Sequence, residues 1–442
     1  RIMEQLKDKL VSSFMVMENE LDNPDWAPVF DIRQKAMDHF EAKGFPTKKD
    51  EEWKYTNLKP ILKFDYKLIP NRDHEDIEFK DVKRFFLHDI DTYRIVFING
   101  IYSSWLSQTT HHGFDVCTFS SALHRFKDHI SKHFAKYADG EESMVALNTA
   151  FARDGAFIHV PKNAVVNKPI EIVFFTTGEA SEVMTQPRNL VLVEEGGQVQ
   201  IIERHRSLTD HAVLTNSVTE IVAEQNARVD FYKVQNDNNT ASLIDHTSVS
   251  QAKDSYVNVG TFSFGGKLVR NTLNFSSNGE NTESHMDGIT IIGDGQHVDN
   301  HTRVDHKMPN CYSRELYKGI YDGNAHGVFN GKVIVHLDAQ KTNAFQSNNN
   351  ILLSDKASID TKPQLEIFAD DVKCSHGCTV GQLDEEALFY LRSRGIPEAK
   401  AKALLMYAFS ADALNYVKIP ELKIRLNRIM GQKLNVDLDL EL

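Results

Sequence analysis

Apolar and polar positions alternate in three different ways along the chain, and the first pattern is helical. Over roughly the first twenty residues, apolar side chains recur every three or four positions, which is typical of one face of an amphipathic helix. A second helix is predicted with Asp31 as its cap and Gly44 at its end. The run at 94–100 predicts a buried strand followed by a turn. We therefore expect residues 1–150 to form an N-terminal domain of helices with some strand.

The second pattern covers residues 151–382, where short β-branched runs alternate with turns rich in Gly, Asn and Asp. The candidate turns, 12 to 16 residues apart, are at Gly197, Asp210, Asn226, Asn238, Lys253, Gly266, Gly279 and Gly295. A β-sandwich turns about every 8–12 residues, so these intervals favour stacked coils, although a long sandwich is an alternative. Two strands per coil of roughly 26–29 residues fit a parallel β-helix core in a mainly β protein.

Helical patterns return near the end of the chain. Acidic residues from Asp384 onward favour a helix start, and an apolar face follows until Gly395. Pro397 and Pro420 can each open a further helix. We expect residues 383–442 to form a C-terminal helical domain that either caps the coils or docks a partner.

The composition of the chain argues against several classes of protein. The 50 basic and 62 acidic side chains give a net charge of −12, which excludes non-specific binding to nucleic acid. No apolar stretch is long enough to cross a bilayer, and the first residues are too charged for a secretory signal. Four cysteines do not make a disulfide framework. We expect a cytoplasmic protein, with no membrane partner, whose thiols are free to bind metal.

Motifs of self-sufficient enzymes are absent from the sequence. There is no Walker sequence, no Gly-x-Gly-x-x-Gly after a strand, no Gly-x-Ser-x-Gly and no His-Glu-x-x-His. We therefore predict that this chain binds no nucleotide, so that any ATP-driven role requires a partner subunit.

Cys374, His376 and Cys378 stand at alternate positions, so an extended strand places them on one face. Thiolate and imidazole are ligands for zinc and for iron–sulfur clusters. Alternate residues of a strand are about 6.6–6.8 Å apart, so the three cannot surround one ion unless the strand bends, as Gly377 could allow. The segment is either half of a metal site, completed by another coil or another chain, or a structural segment with ordinary buried cysteines.

A second polar cluster occupies residues 297–306, shortly after His285 and Asp287. As a strand, it would present one polar face consisting of His297, Asp299, His301, Arg303 and Asp305. Such a face could hold a hard metal or serve as the acid/base surface of a polysaccharide lyase or epimerase built on a β-helix. The alternative is a solvated face with internal salt links.

Several stretches resemble the SufB/SufD family of the SUF iron–sulfur cluster assembly system. The longest, Thr361–Gly377, contains Lys-Cys-Ser-His-Gly, which favours the SufD branch over SufB. The others are Thr379–Gly381, Leu388–Ile396, Phe45–Thr47, Glu52–Thr56, Asn310–Arg314 and Val328–Gly331. The resemblance therefore touches all three parts of the chain.

The resemblance implies a right-handed parallel β-helix flanked by helical domains, which agrees with the turn spacing. It also implies a non-catalytic scaffold subunit of a SufBCD complex. Its partners would be SufB, a paralogue of the same fold, and SufC, an ABC-type ATPase. A nascent iron–sulfur cluster, or iron, would be shared with SufB at the interface between the two paralogues.

The family's functional histidine corresponds to His376, with Cys374 as a supporting ligand or a buried structural residue. The family usually has a small residue such as Ala at the position of Cys378, so a ligand role there has no support from the resemblance. The hypotheses are thus a scaffold, a β-helix enzyme, and a purely structural homodimer without a metal role. The isolated chain could pair with itself in place of its paralogue.

The resemblance also assigns ATPase docking to the C-terminal helices, residues 384–431. Within this segment, Tyr390, Arg394 and Tyr407 are the predicted partner-binding residues.

Overall fold

The computed structural model describes residues 1–21, 23–68, 77–86, 90–110, 113–177 and 181–435. The N-terminal helices are α1 (Ile2–Glu20), α2 (Ala27–Lys43), α3 (Lys59–Leu62), α4 (Phe79–Val82), α5 (Phe119–Arg125), α6 (Lys127–His133) and α7 (Ser143–Phe151). The C-terminal helices are α8 (Glu385–Ser393), α9 (Glu398–Ser410) and α10 (Pro420–Lys433). Short 3₁₀ turns lie at Pro24–Trp26, Glu51–Trp53, Lys83–Phe85 and Ala411–Leu414.

Strands occupy most of the middle of the chain. The first ten are β1 (Tyr93–Ile98), β2 (Ile101–Tyr102), β3 (Asp115–Thr118), β4 (Ala156–Val160), β5 (Ile170–Thr176), β6 (Val183–Thr185), β7 (Arg188–Val193), β8 (Gln198–Ser207), β9 (Val213–Ala223) and β10 (Arg228–Gln235). The next ten are β11 (Ala241–Gln251), β12 (Tyr256–Ser263), β13 (Leu268–Ser277), β14 (Glu283–Ile292), β15 (His297–His306), β16 (Tyr312–Tyr321), β17 (His326–Val335), β18 (Asn343–Leu352), β19 (Ser358–Ile367) and β20 (Lys373–Gly381).

The strands form two long sheets that face each other. Sheet 1 has the order β2-β1-β5-β8-β10-β12-β14-β16-β18-β20, and sheet 2 has the order β19-β17-β15-β13-β11-β9-β7-β4-β3, with β6 also paired to β9. From β7 onward, successive strands alternate between the sheets, and from β4 onward neighbours within a sheet are parallel. This is a parallel β-solenoid of about eight turns. The prediction of a β-helix with helical regions at both ends is confirmed, and the β-sandwich alternative is wrong.

The strand register measures the length of each coil. One column of paired residues in sheet 1 is Arg228, Tyr256, Glu283, Tyr312, Asn343 and Lys373. Successive members are 27 to 31 residues apart, slightly more than the predicted 26–29. The difference arises because the connections become longer along the chain, as in the one between β17 and β18.

One column of turns explains the abundance of Asn and Gly between the strands. The column consists of left-handed residues at the same corner of successive coils: Asn163, Gly196, Asn226, Asp254, Asn281, Asn310 and Lys341. Each donates its backbone N–H to a carbonyl of the next coil, as Asn226 does to Lys253 at 3.1 Å. Gly, Asn and Asp tolerate this backbone conformation best, so the coil corners select them.

The helices cover the outer faces of the two sheets. Apolar residues of α1 and α2, such as Phe14 and Phe40, belong to one buried cluster with Leu190 and Leu214 of sheet 2. On the other side, Leu426 and Met430 of α10 cluster with buried residues on the outer face of sheet 1. Both sheets are therefore buried on two faces along most of their length. Within the described ranges, none of the helices has both the length and the apolar character that a membrane span needs.

The predicted helix starts are mostly confirmed. Asp384 caps α8 by accepting backbone N–H groups, α9 starts after Pro397, and Pro420 opens α10. The exception is α2, which begins at Ala27 and not at Asp31. A proline in the first helical turn loses no hydrogen bond, so the Ala-Pro pair at residues 27 and 28 begins the helix one turn earlier.

Candidate functional site

The solenoid is open at its C-terminal end. In the described part of the chain, β20 pairs only with β18, and β19 pairs only with β17. The outer edges of both strands therefore carry backbone groups without a ladder partner. Such edges are templates for pairing with a strand of another chain unless they are covered or charged.

Cys374, His376 and Cys378 all lie on β20. Cys374 is half-buried and packs into the last cluster of the core, whereas His376 and Cys378 are exposed. The Cys378 thiol lies 3.3 Å from Thr361 Oγ1 of β19, so this side of β20 faces the interior of the coil. Because alternate side chains of a strand share a face, His376 projects in the same direction.

The strand does not bend around these residues. Its register with β18 is unbroken, and Gly377 pairs with Ser347 without a bulge. Neighbouring members of the set are therefore about 6.6–6.8 Å apart along the strand, too far for all three to bind one ion. Any metal held by His376 must take further ligands from outside β20.

Burial affects the two thiols differently. Burial raises the pKa of the Cys374 thiol, which the nearby backbone N–H of Ala344 only partly offsets. A raised pKa leaves less thiolate at neutral pH, and thiolate is the form that binds metal. Cys378 is exposed and donates to a neutral hydroxyl. His376 is exposed, and imidazole is a metal ligand in its neutral form.

A polar layer lies directly beneath His376. Gln346 is its partner on β18 and is 3% exposed. Gln346 Nε2 donates to Glu315 Oε2 at 3.0 Å, while Gln346 Oε1 makes no hydrogen bond within the described structure. Burial raises the pKa of Glu315 to about 7, against the opposing effect of donors from Thr302 and Gln346. On the opposite sheet, a Cβ at Gly331 would lie 2.3 Å from Gln346 Nε2, so glycine leaves room for this amide.

Apolar side chains surround the open end. Ile367 is the last residue of β19, Phe368 follows it, and Val380 lies on β20; their exposed fractions are 43%, 62% and 48%. Large apolar residues exposed at an unpaired sheet edge are typical of a protein interface. The open end therefore combines an edge for strand pairing, an apolar rim and three side chains of types that can bind metal.

A second exposed surface is provided by α8, which has no buried residue. Phe389 and Tyr390 are 74% and 56% exposed, and the Arg394 guanidinium lies 5.0 Å from the Tyr390 ring. Tyr407, on α9, is half-buried against the cluster under the C-terminal helices. Tyr390 and Arg394 thus form one accessible group, and Tyr407 is set apart from it by its packing.

Comparison with known protein families identifies the family of this chain. The model for the SUF system FeS cluster assembly SufBD core domain matches residues 174–409, more than half of the chain. The model for the SufBD protein N-terminal region matches residues 4–172. The chain belongs to the SufB/SufD family.

Curated relatives in this family are similar over most of their length. The chain is 33% identical over 409 residues to an iron–sulfur cluster assembly SufBD family protein of Synechocystis sp., covering 90% of each. It is 31% identical over 405 residues to the iron–sulfur cluster assembly protein SufD of Escherichia coli, covering 91% of this chain and 92% of the relative. SufD of Bacillus subtilis is 28% identical over 322 residues, or 71% of this chain and 72% of the relative. The resemblance to SufD is confirmed.

The polar face of β15 has a structural role in this family member. Asp299 and Arg270 are 1% and 3% exposed and form an ion pair at 2.9 Å. Arg270 also lies over the Trp53 ring at 4.1 Å and donates to the Glu52 carbonyl at 2.8 Å. Thr56, from the same N-terminal stretch, donates to Asp299. The family's N-terminal motif is therefore bound to the outer face of sheet 2.

This packing corrects two expectations for the 297–306 cluster. Its first half is not solvated, because His297, Asp299 and His301 are covered by the N-terminal motif. Arg303 is exposed and pairs with Asp305 at 2.8 Å, as expected for a solvated face with internal salt links. His285 and Asp287 lie on β14 in the other sheet, so they do not share its face. The β-helix enzyme hypothesis loses the open polar surface on which it depended.

We expect the Arg270→Ala variant to unfold about 3 kcal/mol more easily than the wild type, because Asp299 would remain buried without its cation. Burial opposes ionisation of Asp299, yet Arg270 and His301 hold the pKa of its carboxyl well below its usual range. Urea unfolding, extrapolated to water, measures the difference. The matched control is Lys362→Ala, which breaks an exposed pair with Glu51 and should cost less than about 1 kcal/mol. Equal losses of stability in the two variants would contradict a structural role for the buried Arg270–Asp299 pair.

Sequence reasoning missed the polar layer beneath His376. Gln346 and Glu315 precede His376 by about one and two coils, and nothing in their local pattern marks them. The only available signal was the coil length: stepping back by one repeat from His376 leads to the neighbourhood of Gln346. The spread of 27 to 31 residues per coil makes that step uncertain by several positions.

Proposed function

We propose that this chain is the SufD-type scaffold subunit of a SufBCD complex, in which it and a SufB paralogue hold a nascent iron–sulfur cluster between them. The chain contributes the ligand-bearing strand β20, and a SufC-type ATPase docks on the C-terminal helices. The cluster, or the iron that begins it, is cargo and not a resident cofactor.

One observation carries the proposal: the ligand set of β20 is incomplete and stands at an unpaired edge. Cys374, His376 and Cys378 are too far apart along a regular strand to close around one ion. The edge that bears them is exposed and has a partner on one side only. A second chain that pairs with this edge would at the same time supply the missing ligands.

A paralogue of the same fold fits this edge better than an unrelated protein. Two solenoids that end in comparable open coils can join edge to edge, which continues both sheets and buries both apolar rims. When the paralogue is absent, a second copy of this chain could use the same edge, as expected for a homodimer of the isolated protein.

The role of His376 follows from its chemistry. A neutral imidazole binds iron without first losing a proton, whereas burial raises the pKa of the Cys374 thiol. Gln346 Oε1, a buried acceptor without a partner among the described residues, lies on the neighbouring strand at the same level. An N–H of His376 directed to this oxygen would leave the other ring nitrogen free for metal, as is usual for metal-binding histidines.

The experiment that tests the proposed function is an anaerobic affinity purification of the tagged chain from its own cells, followed by mass spectrometry. Recovery of a second β-solenoid paralogue together with an ABC-type ATPase is the expected result. Recovery of the chain alone, from cells shown to express both partners, would overturn the proposal.

We expect the amount of ATPase recovered with the Tyr390→Ala variant in that purification to fall by at least about tenfold. Tyr390 and Phe389 form the most exposed aromatic surface of the C-terminal helices. Recovery of the paralogue should not change, since β20 is untouched. The control is Phe30→Ala on α2, an exposed aromatic residue, 41% exposed, on the opposite side of the molecule. Unchanged ATPase recovery with Tyr390→Ala would place the docking surface elsewhere.

A further inference from the structure

A second group of potential metal ligands lies near the N-terminal end of the solenoid, far in sequence from β20. His129 on α6, His159 on β4 and Glu194 after β7 each offer one donor atom, and these atoms lie within 4.8 Å of one another. His159 Nε2 is 3.3 Å and His129 Nε2 is 3.9 Å from the same oxygen, Glu194 Oε1. The group joins an N-terminal helix to the first coils of the solenoid.

The central histidine has an unused nitrogen. His159 is 8% exposed, and its Nε2 makes no hydrogen bond to any described residue even though Glu194 Oε1 is close. Its other nitrogen, Nδ1, lies 2.9 Å from Asp115 Oδ2. When Nδ1–H donates to that carboxylate, Nε2 presents a lone pair toward Glu194, and two acceptors that face each other repel unless a cation or a proton lies between them.

The surrounding contacts orient the group as in known metal sites. A carboxylate bound to the far nitrogen of a metal-binding histidine is the usual outer contact, and Asp115 supplies it for His159. Glu194 Oε2 accepts the backbone N–H of Lys162 at 3.1 Å, which fixes the carboxylate and directs Oε1 toward the histidines. His129 stands edge-on to His159, with ring centroids 4.8 Å apart.

Two imidazoles and one carboxylate are a ligand set for divalent first-row transition metals such as Zn²⁺ and Fe²⁺. Ligands about 2.0–2.1 Å from a tetrahedral ion are about 3.3 Å from one another, and His159 and Glu194 already have this separation. His129 Nε2 is 3.9 Å from Glu194 Oε1, and its side chain is 36% exposed, so it has to move toward the other two ligands to complete the set.

We propose that His129, His159 and Glu194 bind a divalent first-row transition metal ion, with a fourth position open to water. The site fastens α6 to β4 and to the corner after β7. It is independent of the cluster-assembly role proposed for β20 and involves none of the same residues.

The test titrates Zn²⁺ into the metal-free full-length chain by calorimetry, and Co²⁺ in parallel for its visible ligand-field absorption. His129→Gln and Glu194→Gln remove one ligand each. The control is His124→Gln, an exposed histidine on neighbouring α5 that pairs with Asp25. Thermal unfolding of each metal-free variant establishes that it folds. Thiols of β20 are present in every variant, so any binding there is common to all.

The expected result is a binding event, with a tetrahedral Co²⁺ spectrum, that is weakened by at least about tenfold in His129→Gln and in Glu194→Gln but not in His124→Gln. Zn²⁺ should also raise the melting temperature of the wild type more than that of the two ligand variants. Equal Zn²⁺ affinity in all four proteins, or no binding to the wild type, would overturn the proposal.

Discussion

The His376→Ala variant should form at least about tenfold less iron–sulfur cluster than the wild type when the purified complex is supplied anaerobically with iron and sulfide. The imidazole is the exposed donor on β20 that needs no deprotonation, and removing it leaves the partner's ligands without their counterpart. Recovery of the paralogue with the variant should be unchanged, because the edge of the strand is intact. Cluster content, measured by absorption and by iron and sulfide analysis, checks the prediction.

Three neighbouring variants separate a ligand role from general damage to the strand. Ser375→Ala, on the opposite face of β20, should behave as the wild type. Cys378→Ala should also do so, since the thiol contacts only a hydroxyl of β19 among the described residues. Cys374→Ser should have an intermediate effect, because the side chain packs in the last core cluster. An unchanged cluster yield in His376→Ala, with the partner still bound, would remove this residue from the proposed site.

The Val380→Lys variant should lose the paralogue, with association weakened by at least about tenfold. Val380 is 48% exposed on β20, and a lysine there would bring an unpaired charge into the proposed interface. Each factor of ten in affinity corresponds to about 1.4 kcal/mol, less than the usual cost of burying an unpaired charge. Co-purification measures the loss, and light scattering of the isolated chain reports whether a homodimer is lost as well.

Val380→Pro tests the backbone part of the same interface. Lys373 N–H donates to Thr342 on the β18 side at 2.8 Å, and successive N–H groups of a strand point to opposite sides. The N–H of Val380 therefore points to the free edge, and proline removes it while leaving the pairing with β18 in place. The control for the Val380→Lys variant is Val165→Lys, which adds a lysine at a valine that is 63% exposed at the other end of the solenoid. If both Val380 variants bind the paralogue normally, β20 is not the interface.

Much of the architecture could be predicted from local patterns. The three-to-four-residue spacing of α1 and the prolines before α9 and within α10 act through nearest neighbours, so they are visible in sequence. The left-handed corner residues are visible for the same reason, since Asn and Gly are selected one turn at a time. Even so, Lys341 occupies one of these left-handed corners, and the conformational preference of lysine does not predict this.

The polar face of β15 marks the limit of this reasoning. Alternation correctly indicates that His297, Asp299 and His301 share a side, but the same pattern fits a solvated face, a catalytic face and a buried one. The N-terminal motif, more than two hundred residues earlier, decides between them, because Thr56 donates to Asp299 and Trp53 covers Arg270, the partner of Asp299. Local pattern determines which side chains point together, and only packing determines what they meet.

The candidate site divides in the same way. The sequence by itself determined that Cys374, His376 and Cys378 lie on one face and cannot enclose an ion, since both conclusions depend only on strand geometry. Tertiary structure decided that this strand is the exposed last member of its sheet and that Gln346 lies beneath His376. These facts depend on how coils of unequal length stack. The residue that lies beneath a given position depends on the lengths of all the connecting turns that precede it.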